Sequence, residues 1–397
     1  MHAIYIISII LISIGVTLFL LSFIFEYTRK QNLKKRTVKD YAIIIPARNE
    51  SKVIKNLLDS IKLQNPNMDN VYVIVEDKKD ETVKIVKEYG GNIYVRKNIE
   101  NRRRKGYALD ECLKNILKKK HYDLYFIMDA DNILGKNFIN EMLKTYKKGY
   151  DIATSYRNIK NSSNIISSCS GLTFSFMNTL FNEYNNHMHK SMIISGTGFY
   201  ISGELVEKLN GYPFHSLTED YELTLYAEAN NISSYYNKNA IFYDEQPTKM
   251  KDSIKQRTRW VKGFLEARKI RLKDIKDDYS KLMGIIPYLF IIIGIAILFI
   301  TNFSLSIHYL IKSNNLFFTT FKSCINILLI AYLLLAGITF YVILKENSKL
   351  NMSLKYKILS CLYNPIFLST YIYCFIKALV TKDLAWEEIK HEKTQID

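Results

Sequence analysis

Three clusters of acidic residues in this chain fall where carboxylates can act together. Asp129-Ala130-Asp131 follows the apolar run DLYFIM, Glu76-Asp77 follows VYVIV, and Glu219-Asp220 follows Leu217-Thr218 at the start of a helical pattern. Two aspartates one residue apart at the end of a strand both reach a crevice if the chain turns there. Such paired carboxylates are hard oxygen ligands, suited to Mg²⁺ or Mn²⁺ bridging a substrate's phosphates. A solvated turn with a helix cap is the competing reading of D-x-D by itself, and the acids at 76–77 shift the balance toward a nucleotide site. For Glu219 and Asp220 alone, the simpler reading is a helix capped by Thr218 with acids complementing its dipole.

Cations and small residues surround these acids. Asn101-Arg102-Arg103-Arg104-Lys105-Gly106 leads into a helix start, a position that favours a diphosphate. Its three arginines read equally well as solvated surface charge, and Lys105 is the best placed of the group. Ser195-Gly196-Thr197-Gly198 permits close backbone approach to a ligand. Lys255–Gly263, KQRTRWVKG, sets two arginines and one of the chain's two tryptophans just ahead of a long uncharged run.

The elements that must carry these residues alternate. Strands are predicted at Tyr41–Pro46, Val71–Val75, Asn92–Val95 and Asp123–Met128. Helices are predicted at Asn49–Leu63, with Asn49 as its cap, at Glu81–Tyr89, stopped by Gly90 and Gly91, at Gly106–Lys119, and from 218 to about Asn230. This is an α/β pattern with a mainly parallel sheet, and such sheets bind ligands beyond the carboxyl ends of their strands. Lys251–Ile270 reads as an amphipathic helix with an apolar stripe of Ile254, Val261, Phe264 and Leu265. Lys255, Lys262 and Lys269 share its polar face, as in a helix lying on a membrane surface.

Four uncharged runs flank the α/β region: Ala3–Phe25, Leu282–Ile307, Ser323–Leu344 and Ile358–Ile376. Each approaches or exceeds the about 20 residues that cross a bilayer. Asn364 and Pro365 interrupt the last, so crossing, re-entry and an interfacial position all stay open for it, and with them the side of the C-terminus. The first run lacks a basic n-region and a small-residue cleavage site, which favours a retained anchor over a cleaved signal. Arg29, Lys30, Lys34, Lys35, Arg36 and Lys39 follow it, placing the middle of the chain in the cytoplasm. Lys345, Lys349, Lys355 and Lys357 place the loop before the last run there too. The expected organisation is an anchor (1–27), a cytoplasmic α/β domain (28–250), an interfacial helix (251–281), a C-terminal membrane region of two or three spans (282–381) and a tail (382–397). A net charge of +17 calls for an anionic partner. With these runs present, that partner is a membrane face or a phosphate-bearing substrate, not nucleic acid. The five cysteines show no paired spacing, which argues against a disulfide framework or zinc site.

Taken in order, IIPARNE (44–50), VEDKKDET (75–82), KGYALD (105–110), DAD (129–131), SGTGF (195–199), TED (218–220) and QRTRW (256–260) resemble the membrane-bound family 2 glycosyltransferases. That group includes the cellulose, chitin, hyaluronan and poly-N-acetylglucosamine synthases. DAD or TED alone is a weak signal, whereas the ordered set ahead of a membrane run is specific. The resemblance implies a GT-A fold, a UDP-sugar donor, Mg²⁺ or Mn²⁺, and inversion at the anomeric carbon. Residue by residue it implies that Asp77 contacts the nucleotide and Lys105 the base or diphosphate. Asp129 and Asp131 hold nucleotide and metal, and Asp220 is the general base. Glu219, Gln256, Arg257, Arg259 and Trp260 line the acceptor and diphosphate site. Glu76 departs from the aspartate usual there.

The expected product is a cell-surface polysaccharide made at the plasma membrane, with single-sugar transfer to a membrane lipid as the alternative. Three or four spans are few for a polymer channel, which points to an oligomer or accessory subunit. A non-enzymatic scaffold or transporter is the remote alternative. Intact Asp129, Asp131 and Asp220 argue against it.

Overall fold

The computed structural model describes residues 2–25, 33–97, 99–100, 102–271, 286–312 and 315–381. The tail at 382–397 and the segment 272–285 lie outside the described residues. The chain divides into two compact units, Met1–Lys30 with Leu272–Phe340, and Gln31–Arg271 with Tyr341–Asp397.

The second unit is built on an eight-stranded sheet. Its elements in chain order are β1 (Tyr41–Pro46), α2 (Ile54–Lys62), β2 (Val71–Val75), α3 (Thr82–Glu88), β3 (Asn92–Val95), α4 (Lys105–Leu117), β4 (Leu124–Ile127), β5 (Ile133–Leu134), α5 (Phe138–Lys147) and β6 (Ile152–Ile159). There follow α6 (Ile165–Phe176), a π-helical segment (Met177–Asn182), α7 (Glu183–His187), β7 (Phe199–Ser202), α8 (Gly203–Lys208), α9 (Glu219–Ala229), β8 (Ser234–Asp244) and α10 (Met250–Ile270). A helix α13 (Leu354–Val380) closes the unit. The helices α1 (His2–Phe25) and α11 (Ile286–Ile311) and most of α12 (Leu316–Lys345) belong to the first unit.

The sheet order is β3-β2-β1-β4-β7-β6-β8-β5. The four predicted strands form one parallel half. β1, β2 and β4 are buried on both faces, which is why they read as apolar runs, while β3 is the partly exposed edge strand. Alternation within β1 shows the layering. Ile43 and Ile45 pack with Leu57, Leu58 and Ile61 of α2. Ala42 and Ile44 pack on the other face with Leu109, Leu113 and Ile116 of α4. The sheet is mainly parallel, as expected, with β6 and β8 also running parallel, but the second half adds antiparallel pairings that the sequence did not announce. β7 runs antiparallel to both β4 and β6, and β5 antiparallel to β8, so the sheet is mixed. An apolar run encodes burial, not direction, so this reversal had no trace in the sequence.

Two cap expectations are also corrected. Asn49 does not cap α2. It lies in a left-handed turn (φ 58), with its N–H donated to Asp80 Oδ2, and the helix begins at Ile54. Thr218 stands at the N-cap of α9, yet its hydroxyl makes no cap bond.

Among the described residues, three helices are long and apolar enough to cross a membrane: Ile293–Ile311, Leu316–Lys345 and Leu354–Val380. Ala3–Leu18 is a shorter apolar helix. It pairs with α11 in the first unit, where Tyr5 Oη donates to Asn302 Oδ1 at 2.8 Å. Pro365 lies inside α13 without ending it, so the interruption expected at 364–365 does not break the helix.

Candidate active site

A cavity of about 1560 Å³ lies at the carboxyl ends of β1, β2 and β4, where the α/β rule places ligands. It exceeds the 300–1,000 Å³ or so of a usual single-ligand pocket, enough room for two substrates. The D-x-D turn forms its floor. Asp129 follows β4, and its N–H is shared between Thr197 Oγ1 (2.8 Å) and Asn132 Oδ1 (3.1 Å). Asn132 in turn donates to Asp131 Oδ1 at 3.3 Å and to buried Asp244 at 2.8 Å. The turn is therefore held by Thr197 of the SGTGF stretch and by Asn132, a residue that no sequence motif singled out.

Lys105 opens α4 and makes an ion pair with Asp129 and a hydrogen bond to the Gly196 carbonyl (2.6 Å). Its ammonium lies 4.0 Å from Glu219. Burial would lower its pKa, but the charges of Asp129 and Glu219 outweigh that and raise it, so it stays charged. On the opposite wall, Glu219 and Asp220 form the first turn of α9. Burial, then the neighbouring Asp220 charge, pushes Glu219 up to about 7. Burial likewise raises Asp220, although Lys105, Arg259 and Arg157 pull the other way. Gly196 (φ +80) passes so close that a Cβ there would lie 3.4 Å from Asp220 Oδ2. The small residue lets the backbone reach the acid.

The turn before α9 is held from two sides. Glu222 accepts from His215 N and Ser216 N, both at 3.0 Å, and Glu266 of α10 accepts from Leu217 N (3.1 Å) and Arg104 (2.7 Å). Gly263 lets α10 pass against Thr218, where any side chain would collide.

The predicted residues divide. Lys105, Asp129, Asp131, Glu219, Asp220, Gln256, Arg259 and Trp260 all line the cavity. Trp260 packs edge-on against Phe174 of α6 at 5.6 Å. Asp77 does not line it. Asp77 is exposed and accepts from Lys79 N, and Glu76 takes the cavity position with Arg48 at 3.2 Å. Consecutive residues beyond a strand end point opposite ways, which puts the longer acid inward. Arg257 is the second correction. It is 1% exposed and turned to α13, donating to Phe367 O (3.1 Å) and Thr370 Oγ1 (2.7 Å) over the Phe367 ring. α10 is also buried through Ser253, Arg257, Thr258, Gly263 and Ala267, not through the expected apolar stripe, of which Phe264 is 40% exposed.

Residues missed from the sequence include Arg157, Asp244 and Gln246. Arg157 donates to Asp244 (2.5 Å) and to Ser195 O (2.7 Å). Asp244 and Gln246 come at the end of a strand, so the strand-end rule would have found them had β8 been recognised.

Among the described residues no group of three His, Cys, Asp or Glu side chains stands ready to hold a metal. Asp129 and Asp131 still fit a hard cation that takes one or two carboxylates and completes its shell with phosphate oxygens and water.

A Rossmann-like sheet with acids grouped at its strand ends is the GT-A fold. The family model described as Glycosyltransferase like family 2 matches residues 39–263, and the chain belongs to that family. It is 24% identical over 241 residues to the probable glycosyltransferase YdaM of Bacillus subtilis (strain 168), covering 59% of this chain and 57% of that one. The chain thus spans little more than half of that relative. A 46-residue stretch is 50% identical to the UDP-N-acetylglucosamine–dolichyl-phosphate N-acetylglucosaminyltransferase of Methanococcus voltae, covering 12% of this chain and 18% of that one. The fold is similar to that of the mannosyltransferase PcManGT from Pyrobaculum calidifontis, solved in complex with GDP-Man and Mn²⁺. That match has a TM-score of 0.60 at 13% identity and covers 96% of this chain and 100% of the other.

Proposed function

We propose that this protein is an inverting glycosyltransferase of the plasma membrane. On this reading its α/β domain is cytoplasmic, and it moves a hexose or N-acetylhexosamine from a UDP-sugar to a growing cell-surface polysaccharide. The observation that carries the proposal is one cavity joining the D-x-D acids and Lys105 to Glu219, Asp220, Gln256, Arg259 and Trp260.

In this mechanism the acceptor hydroxyl attacks the anomeric carbon and gives its proton to Asp220. The bond to the diphosphate breaks, and UDP leaves with the negative charge. Lys105 and Arg259 stabilise that charge where it develops. Asp129 and Asp131 would hold Mg²⁺ or Mn²⁺, which supplies further charge stabilisation. Glu219, beside Lys105, lines the acceptor side, and Trp260 offers a face to a sugar ring. Glu76 replaces Asp77 as the strand-end acid facing the nucleotide.

A second reading, one sugar transferred to a membrane lipid, is favoured by the apolar wall of the same cavity. Phe174, Phe176, Met177 and Phe181 line it together with Leu368 and Tyr371 of α13. Membranes holding the protein, given labelled UDP-sugars, separate the readings. A polymer supports the first, and label extracted with lipid supports the second. Failure to release UDP from any donor tried would overturn both.

A further inference from the structure

By length and composition α13 passes for a membrane span, but its contacts follow the α/β unit along its whole length. Near its start, Tyr356 Oη donates to Ser163 O at 2.7 Å, and one turn on Ser360 meets Cys169 of α6. At its middle, Phe367 and Thr370 receive Arg257 of α10. Later, Cys374 reaches Ile254 O at 3.7 Å, and just beyond its last turn Thr381 O accepts from Lys262. The opposite face is apolar and open. Leu362, Ile366, Ile372, Ile376 and Leu379 are 53%, 56%, 68%, 56% and 61% exposed.

These contacts conflict with a crossing. A helix of 27 residues is about 40 Å long, against about 30 Å of hydrocarbon. If α13 crossed, Ser163 and Lys262 of one compact unit would lie on opposite sides of the bilayer. α10, packed alongside, would carry Lys255, Arg259, Lys262 and Glu266 through the hydrocarbon. Charged side chains are strongly disfavoured at that depth. Laid in the plane of the surface, α13 buries its open face in acyl chains and leaves α10 and its charges on the aqueous side. Lys355 and Lys377 then meet an anionic leaflet, and Tyr363 and Tyr373, each about half exposed, sit at headgroup depth.

We infer that α13 does not cross the membrane. It lies in the leaflet as the lipid-binding face of the α/β unit, and the chain leaves Thr381 on that unit's side. Leu368 and Tyr371 on its inner face line the cavity, so α13 is the wall between the site and the lipid. This placement is independent of which sugar or acceptor is used.

Two measurements test it. In the wild-type sequence, a folding reporter fused after Asp397 should show the same sidedness in membrane vesicles as one inserted at the exposed turn after Lys119. Opposite sidedness overturns the inference. In a background with the native cysteines replaced, spin labels at 362, 366, 372, 376 and 379 should all report one shallow depth in lipid vesicles. A depth that rises to mid-helix and falls again means a span, and labels shielded from lipid mean a protein partner on this face. Either result overturns the inference. If the replaced background does not fold, the reporter comparison decides alone.

Discussion

The two walls of the cavity are made differently. The floor beneath the sheet is a closed set of charges. Lys105 is bonded to Asp129, Asn132 ties Asp131 to Asp244, and Arg157 ties Asp244 to the Ser195 carbonyl. The wall formed by α6, the π-helical segment and α13 is largely apolar, with Phe181 48% exposed. A π-helical segment is a rare irregularity that often marks functional sites. The floor holds its groups in place through mutual hydrogen bonds, as preorganised electrostatics requires. The wall offers shape and hydrophobic contact without a fixed partner. The difference teaches that changes in the floor should act on the rate, and changes in the wall on acceptor affinity.

The largest effect should come from Asp220→Asn. If Asp220 is the proposed base, its loss lowers kcat by on the order of 10²–10⁴ while UDP binding survives. Near wild-type turnover would move the base elsewhere and end the division of labour between floor and wall. The pH profile comes next. Burial keeps protons on Asp220 and Glu219 to higher pH than ordinary carboxylates, with Glu219 near 7. The ionised pair therefore accumulates as pH rises, so kcat/KM should climb from the ordinary carboxylate range toward neutrality. Each pH unit below the apparent pKa costs about tenfold, the two acids titrating as a pair. Glu219→Gln should move the acid limb downward, because one negative neighbour of Asp220 is gone. An unmoved limb would separate the two acids.

Arg257→Ala probes a residue that belongs to neither wall. It deletes charged hydrogen bonds to α13, each worth about 1.5–3 kcal/mol. The result should be a lower melting temperature with the KM for donor little changed. A selective rise in donor KM would instead return Arg257 to the diphosphate. Trp260→Ala should raise the acceptor KM by up to about tenfold, the 0.5–1.5 kcal/mol scale of an aromatic contact, and leave membrane attachment intact. Release from membranes would make Trp260 an anchor. Phe181→Ala is the mildest, a loss on the order of 1 kcal/mol of apolar contact that is felt only with lipid-linked acceptors. If it reduces the use of soluble sugar acceptors equally, the apolar wall is not a lipid surface.

β1, β2 and β4 were legible because strands buried on both faces must be apolar throughout. The acids and Lys105 at the sheet's edge were legible because ligands collect there. β8 was not. It carries Asn237, Lys238 and Asn239, and its pairing with β6 shifts register between Ser155 and Tyr156, so it shows neither alternation nor an apolar run. With it went Asp244 and Gln246, and Arg157 went unseen with β6. In α13 the apolar composition was legible, but packing against α6 and α10 is a contact between segments about 100 residues or more apart.

Arg257 and Arg259 state the limit most simply. The sequence by itself placed both on one cationic helix beside Trp260, ahead of an uncharged run, and that much holds. Residues two apart on a helix lie about 200° around its axis, so both cannot face the same neighbour. Which one meets the cavity and which meets α13 depends on how α10 is rotated. That rotation follows from the buried face of Ser253, Thr258, Gly263 and Ala267, whose small side chains admit α9 and α13. Local residue types decided what α10 could offer, and packing between distant segments decided where each group was delivered.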